Sequence, residues 1–176
     1  METKLNTLRY FFENPNGEFQ IRELSRLLKI NHTTVRQHLL KLVKEGLIEA
    51  KKGKPYDYFK AIINVAFLNL KLYYNLEKLR KSNLVEQLEQ EFAYPVVVLF
   101  GSYASATDDE QSDIDLCIIS SIKKDLKFDS YEKILNRKIS LHLFTKTEWK
   151  NTIAKNPSLI NSICNGLVIS GELEVL

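Results

Sequence analysis

The chain has 176 residues, 44% hydrophobic and 27% charged, the balance of a globular protein with one ordinary domain or two small ones. Its longest unbroken apolar run, Val96–Phe100, is far short of the roughly 20 residues a membrane-spanning helix needs. The opening "METKLNTLRYFFENP" has no basic segment leading into an apolar core, so no signal peptide is expected and a cytoplasmic location is. The net charge of +3 is uneven: residues 1–60 hold 12 Lys or Arg against 7 Asp or Glu, while residues 61–176 hold 13 against 15. This places a polyanion-binding head on a nearly neutral body.

Along the chain, Leu5, Leu8, Phe11 and Phe12 recur at helical spacing until "ENPNGEF" stops them with Asn, Pro and Gly. "QIRELSRLLKI" follows, with Ile21, Leu24, Leu27 and Leu28 on one face. In "NHTTVRQHLLKLVKEG", Val35, Leu39, Leu42 and Val43 face a core, Asn31 suits the N-cap, and Gly46 suits the stop. "LIEAKKGKPYDYFKA" alternates like two short strands around a Lys-Gly-Lys-Pro turn. The order of three helices and a hairpin over residues 3–62 resembles the winged helix-turn-helix family of DNA-binding domains. The resemblance implies that the third helix enters the major groove of double-stranded DNA. Thr33, Thr34, Arg36, Gln37 and Lys41 would offer donors there, and Lys51, Lys52 and Lys54 on the wing would meet neighbouring phosphates. His32 and His38 have no third ligand nearby and read as surface or groove-facing residues.

Residues 63–91 read as a helical connector, one helix or two broken near Ser82-Asn83. Its apolar positions spread over more than one stripe, which suits either an intramolecular strut or a homodimer interface.

From Tyr94 the pattern becomes α+β. "YPVVVLFG", "SDIDLCIIS", "KISLHLFT" and "GLVISG" read as strands. A short turn after Ser102 and helices near Phe128–Asn136, in "TEWKNTIAK" and from Pro157 lie between them. Asp108, Asp109 and Glu110 read as an exposed loop, Trp149 as core, and Cys117 as a buried thiol. Residues two apart on a strand share a face, so Asp113 and Asp115 form a carboxylate pair with Ile114 and Leu116 opposite. Like charges this close repel unless a cation joins them, and hard oxygen ligands suit Mg²⁺ or Mn²⁺. The Gly101-Ser102 bend lets a phosphate approach the backbone closely.

"GSYASATDDEQSDIDL", with its Gly-Ser, ten-residue spacer and Asp-x-Asp between two apolar strands, resembles the nucleotidyltransferase superfamily that includes DNA polymerase beta, and within it the minimal nucleotidyltransferases. The resemblance covers residues 92–171. It implies that Gly101 and Ser102 bind a nucleoside triphosphate and that Asp113 and Asp115 hold metal ions. It further implies transfer of a nucleoside monophosphate to a hydroxyl, which in toxin–antitoxin pairs belongs to a partner protein. Two departures accompany it. The family's third carboxylate falls at Ser140 or His142, and a basic residue and a glycine common after Gly-Ser-Tyr-Ala are Ser105 and Ala106. The expected organisation is a winged-helix domain over 1–62, a connector over 63–91 and a transferase-like domain over 92–176. Its function is either catalytic transfer or DNA-bound regulation with a nucleotide-sensing or partner-docking module.

Overall fold

The computed structural model describes residues 2–174. They form two compact units, one up to Tyr74 and one from Asn75, and the boundary falls inside a single helix. Among the described residues no helix is long and apolar enough to cross a membrane.

The first unit runs α1 (Glu2–Glu13), β1 (Glu18–Phe19), α2 (Ile21–Leu28), α3 (His32–Lys44), β2 (Ile48–Lys51), β3 (Tyr58–Ala61) and the first half of α4 (Val65–Lys81). Leu8, Phe11 and Phe12 of α1 meet Leu24, Val35, Leu39 and Leu42 of the next two helices. Phe59 of the hairpin and Phe67 of α4 close that core. Each such side chain contributes about 1.5–3 kcal/mol by leaving water. Gln20 and Glu23 cap the start of α2 reciprocally, and Lys29 ends it in the left-handed region at φ 56°. The Asn31 side chain accepts from the Thr33 and Thr34 amides at 2.8 and 3.2 Å, which fixes where α3 begins. The wing is a three-stranded antiparallel sheet of order β1-β3-β2. Strand β1 is invisible to sequence periodicity because two residues have no period. Packing explains it: Phe19 meets the Phe11 ring edge-on at 4.9 Å.

The second unit takes the rest of α4, then α5 (Leu84–Glu91), β4 (Val96–Phe100), α6 (Gly101–Ser105) and β5 (Ile114–Ile119). It continues through α7 (Asp129–Leu135), β6 (Ile139–Phe144), α8 (Lys146–Lys155), α9 (Pro157–Cys164) and β7 (Leu167–Ser170). Its sheet has the order β6-β5-β4-β7; β5 and β6 are parallel across the α7 crossover, and the other pairs are antiparallel. One face buries Val97, Leu99, Ile114, Leu116 and Ile118 against Leu79, Leu84, Leu88 and Leu135. The other buries Val98, Phe100, Cys117 and Ile119 against Trp149, Ile160 and Ile163. Burial on both faces is why these strands read as continuous apolar runs. It also pushes the Cys117 thiol up to about 12.

The loop at 108–110 corrects the sequence reading. Asp109 and Glu110 are exposed, but Asp108 is buried. Its Oδ1 accepts from Asn75 Nδ2 at 2.9 Å, and the Arg137 guanidinium lies 4.0 Å from Oδ2. An acid inside a run of three polar residues looks solvated until its distant partners are placed.

Ala106 ends α6 at φ 58°, 2% exposed. The left-handed conformation that glycine supplies in the resembling family is therefore required here too, and an L side chain bears it at a cost of about 1–2 kcal/mol. Ala106→Gly should raise unfolding stability by about 0.5–1 kcal/mol in urea titrations; an unchanged or lower midpoint would contradict strain at this residue.

Candidate functional site

Strands β4 and β5 carry the site to one end of the sheet. The register pairs Phe100 with Asp115 and Asp115 with Ser140, so the residue after Phe100 meets the strand that bears the acid. Gly101 has φ 73°, and a Cβ built there would stand 2.3 Å from Asp115 Oδ2. The bend thus needs glycine for conformation and for room, and the Asp115 carboxylate lies directly against the Gly101 backbone.

Asp113 lies one residue before β5 and is exposed, while Asp115 is half-buried within the strand. Ile114 and Leu116 are fully buried in the opposite face, as the alternation requires. Burial pushes the Asp115 carboxyl up; a hydrogen bond from Ser140 opposes that, the Asp113 charge adds to it, and His142 opposes it. Among the described residues, no Lys or Arg is ion-paired with either aspartate.

Ser140 and His142 stand beside Asp115 and Cys117 on β6, where the family resemblance places a third acid. The His142 ring packs on Phe100 with centroids 5.6 Å apart. Among the described residues no three His, Cys, Asp or Glu gather as a metal cluster. Two carboxylates with phosphate and water oxygens still suit one Mg²⁺, which keeps much of its shell as water and substrate oxygen. A second ion has no carboxylate of its own here.

Ser102 is half-buried at the first turn of α6. Ser105 is exposed, and its Oγ lies 3.1 Å from the Gly101 carbonyl, 3.2 Å from that of Ser102 and 2.9 Å from Thr107 Oγ1. Its hydroxyl is satisfied within the helix.

Three features leave no mark that sequence reasoning could find. The buried Asn75–Asp108–Arg137 network has partners 29 to 33 residues apart and no spacing rule to reveal it. The placing of Ser140 beside Asp115 depends on strand order, which periodicity does not give. The third is an open cleft of about 570 Å³ that begins at Asp113 and extends along α7.

In the first unit, α3 presents Thr33, Arg36, Gln37 and Lys41 to solvent, and Thr34 is half-exposed. Lys52 and Lys54 extend from the exposed wing, whereas Lys51 pairs with Glu49 at 2.9 Å. His32 is exposed, and His38 is half-buried with Nδ1 3.3 Å from Thr7 Oγ1.

A Gly-Ser bend closing one central strand, an Asp pair entering the next, and a parallel crossover to an edge strand define a nucleotidyltransferase unit; the helix-turn-helix and wing ahead of it define a regulator-type unit. The model of the family described as Polymerase beta, Nucleotidyltransferase matches residues 82–171, about half of the chain, and the chain belongs to that family. Residues 2–50 match the model described as Bacterial regulatory protein, arsR family, so a helix-turn-helix domain of that kind precedes the transferase domain. No curated protein matches the chain significantly.

Solved structures similar to the chain include a "possible transcriptional regulator" from Methanosarcina mazei Go1 (17% identity, 51% of this chain and 78% of that one, TM-score 0.36). Two others are a candidate transcriptional regulator from Rhodococcus sp. RHA1 (16%, 70% and 46%, 0.33) and a candidate ICLR transcriptional regulator from Silicibacter sp. TM1040 (18%, 72% and 47%, 0.36). The chain spans less than half of the last two, and likeness at this level carries no argument about function.

The raised Asp115 carboxyl has a pH consequence. The folded state holds its proton more tightly than the unfolded chain, so ionising it opposes folding once pH exceeds the unfolded value near 3.9. Asp115→Asn should therefore raise the urea midpoint at pH 7, with the gain shrinking as pH falls toward 3.5. A gain that grows on acidification would reverse the assignment.

Proposed function

We propose that the chain is a Mg²⁺-dependent nucleotidyltransferase with a DNA-binding head, moving a nucleoside monophosphate from a triphosphate to a hydroxyl with release of pyrophosphate. The observation that carries this reading is the Asp113/Asp115 pair, free of basic partners among the described residues, with Asp115 against the Gly101 bend. Asp113 and Asp115 would hold Mg²⁺ (or Mn²⁺), which when bound offsets phosphate charge and polarises the phosphoryl group. The chain's own contribution is to position. Beside the Gly101 bend, the Ser102 hydroxyl can donate to a phosphate. The rigid β4–β5 ladder holds both elements in register.

A second reading is favoured by Ser140 and His142 at the third-acid positions and by the Ser105 hydroxyl, which closes on the Gly101 carbonyl. In it the unit binds nucleotide and signals through the DNA-binding head without turnover. A homodimer through residues 63–91 belongs to either version, supported by exposed Ile63, Val65 and Tyr73. A partner protein as acceptor, as in toxin–antitoxin pairs, rests on the family resemblance. A cytoplasmic setting suits both nucleotide and DNA.

With each triphosphate and Mg²⁺, the chain should release pyrophosphate, and Asp113→Asn should lower the rate at least about 100-fold, since metal-type charge stabilisation is worth several kcal/mol. Triphosphate binding without release from any nucleotide would leave the sensor reading standing. For the head, Arg36→Ala with Lys41→Ala should weaken duplex binding and reduce the slope of log K against log salt by about 1.8, roughly 0.9 for each phosphate that is no longer neutralised. An unaltered slope would remove α3 from the DNA interface.

A further inference from the structure

We infer that the groove between α1 and α3 is a binding site for a small organic anion, and that its occupant competes with duplex DNA. The competition rests on the DNA-binding reading of the head; the site itself does not. Two adjoining cavities, of about 450 Å³ and about 150 Å³, share Thr7 and His38. The larger lies within the range of about 300–1,000 Å³ usual for small-ligand sites. Leu28 and Ile30 supply its apolar side, while Asn6, Arg9 and Thr34 join the shared pair on its polar side. Lys4 and Lys41 line the smaller cavity. Among the described residues, no Asp or Glu lines either one.

The polar groups are held in place. Thr7, 1% exposed, brings its Oγ1 to 3.3 Å from His38 Nδ1, which orients the imidazole and leaves Nε2 as its other polar atom. Arg9 Nη2 donates to the Tyr10 hydroxyl at 2.6 Å, and the guanidinium carbon lies 4.7 Å from that ring's centroid. The Tyr10 hydroxyl donates in turn to the Leu27 carbonyl at 2.9 Å, which ties the arginine to the end of α2. Lys4 is neutralised by Glu45 at 2.6 Å, but among the described residues no carboxylate pairs with Arg9. A fixed guanidinium, an imidazole and two threonine hydroxyls suit carboxylate or phosphate oxygens. Leu28 and Ile30 beside them call for apolar atoms on the same molecule. A duplex phosphate brings none, and it meets protruding groups such as Lys52 and Lys54 instead. A small carboxylate or phosphate ester with a compact apolar body satisfies both sides. Its charge lies on the flank of α3, at Thr34 and Lys41, two residues of the DNA-facing set. Repulsion of the phosphate backbone and loss of those donors then oppose duplex binding, and the duplex disfavours the anion by the same factor.

The test uses the full chain with benzoate, phenyl phosphate and uncharged benzamide as probes, by calorimetry and by NMR of the histidine rings. The first two probes tell a carboxylate site from a phosphate site. At least one anion should bind about tenfold or more tighter than benzamide, the margin of a charge-assisted hydrogen bond. It should shift the His38 ring signals while those of His32 and His142 stay in place. Arg9→Gln should abolish the margin. Asn6→Phe, at an exposed position away from the arginine tether, should block all three probes and guards against a folding defect in the first variant. A saturating anion should then weaken duplex binding about fivefold or more. Equal binding of benzamide, shifts at His142 instead of His38, or indifference to both variants would each overturn the site. So would a salt slope of duplex binding reduced by about 0.9 in Arg9→Gln with no anion preference, which would make the groove part of the DNA interface. Anion binding that leaves duplex affinity unchanged would overturn the competition. A chain that binds no duplex would overturn the DNA-binding reading and the competition with it, while the anion affinities still decide the site.

Discussion

The transferase unit depends on a close approach. The Asp115 carboxylate occupies the space a side chain on residue 101 would need, so the bend and the acid are parts of one object. The antiparallel ladder from Val96 to Phe100 against Asp115 to Ile119 brings them together. The apolar residues of those strands, buried on both faces, make the ladder rigid. The price is a half-buried carboxyl with another acid nearby, which opposes folding at neutral pH. A site that burdens its own fold in this way is typical of residues kept for chemistry rather than for stability.

Much of this was legible in the sequence because the relevant signals are local. Gly101 and Ser102 sit at the end of an apolar run, Asp113 and Asp115 obey the two-residue strand period, and the Asn156-Pro157 start of α9 obeys a capping rule that the structure reproduces. In the first unit the 3.6-residue spacing marked the faces that Leu8, Val35 and Leu39 bury. What stayed hidden needs long-range information. Asp108 looks solvated because Asn75 lies 33 residues away, β1 is too short for a period, and Ser140 comes beside Asp115 only through the order of strands in the sheet.

The replacements near the site differ in kind. Ser105 exchanges an outward interaction for an internal one, since its hydroxyl closes on the carbonyls of its own helix. Ala106 keeps the backbone conformation and bears its strain. Ser140 keeps the position of a third ligand while supplying a neutral oxygen. Together they leave the Gly101 bend and the first two carboxylates in place while removing charge around them. A unit of this composition has fewer fixed negative charges at that end of its sheet than one with three acids there.

The two thiols lie in opposite surroundings. Cys117 is walled into the sheet and stays protonated far above neutral pH, while Cys164 is exposed near the end of α9. Electrophilic dyes and spin labels attack thiolate that solvent can reach, so the native chain carries a single addressable sulfur on its transferase half. A reporter attached there would follow that half without any engineered cysteine.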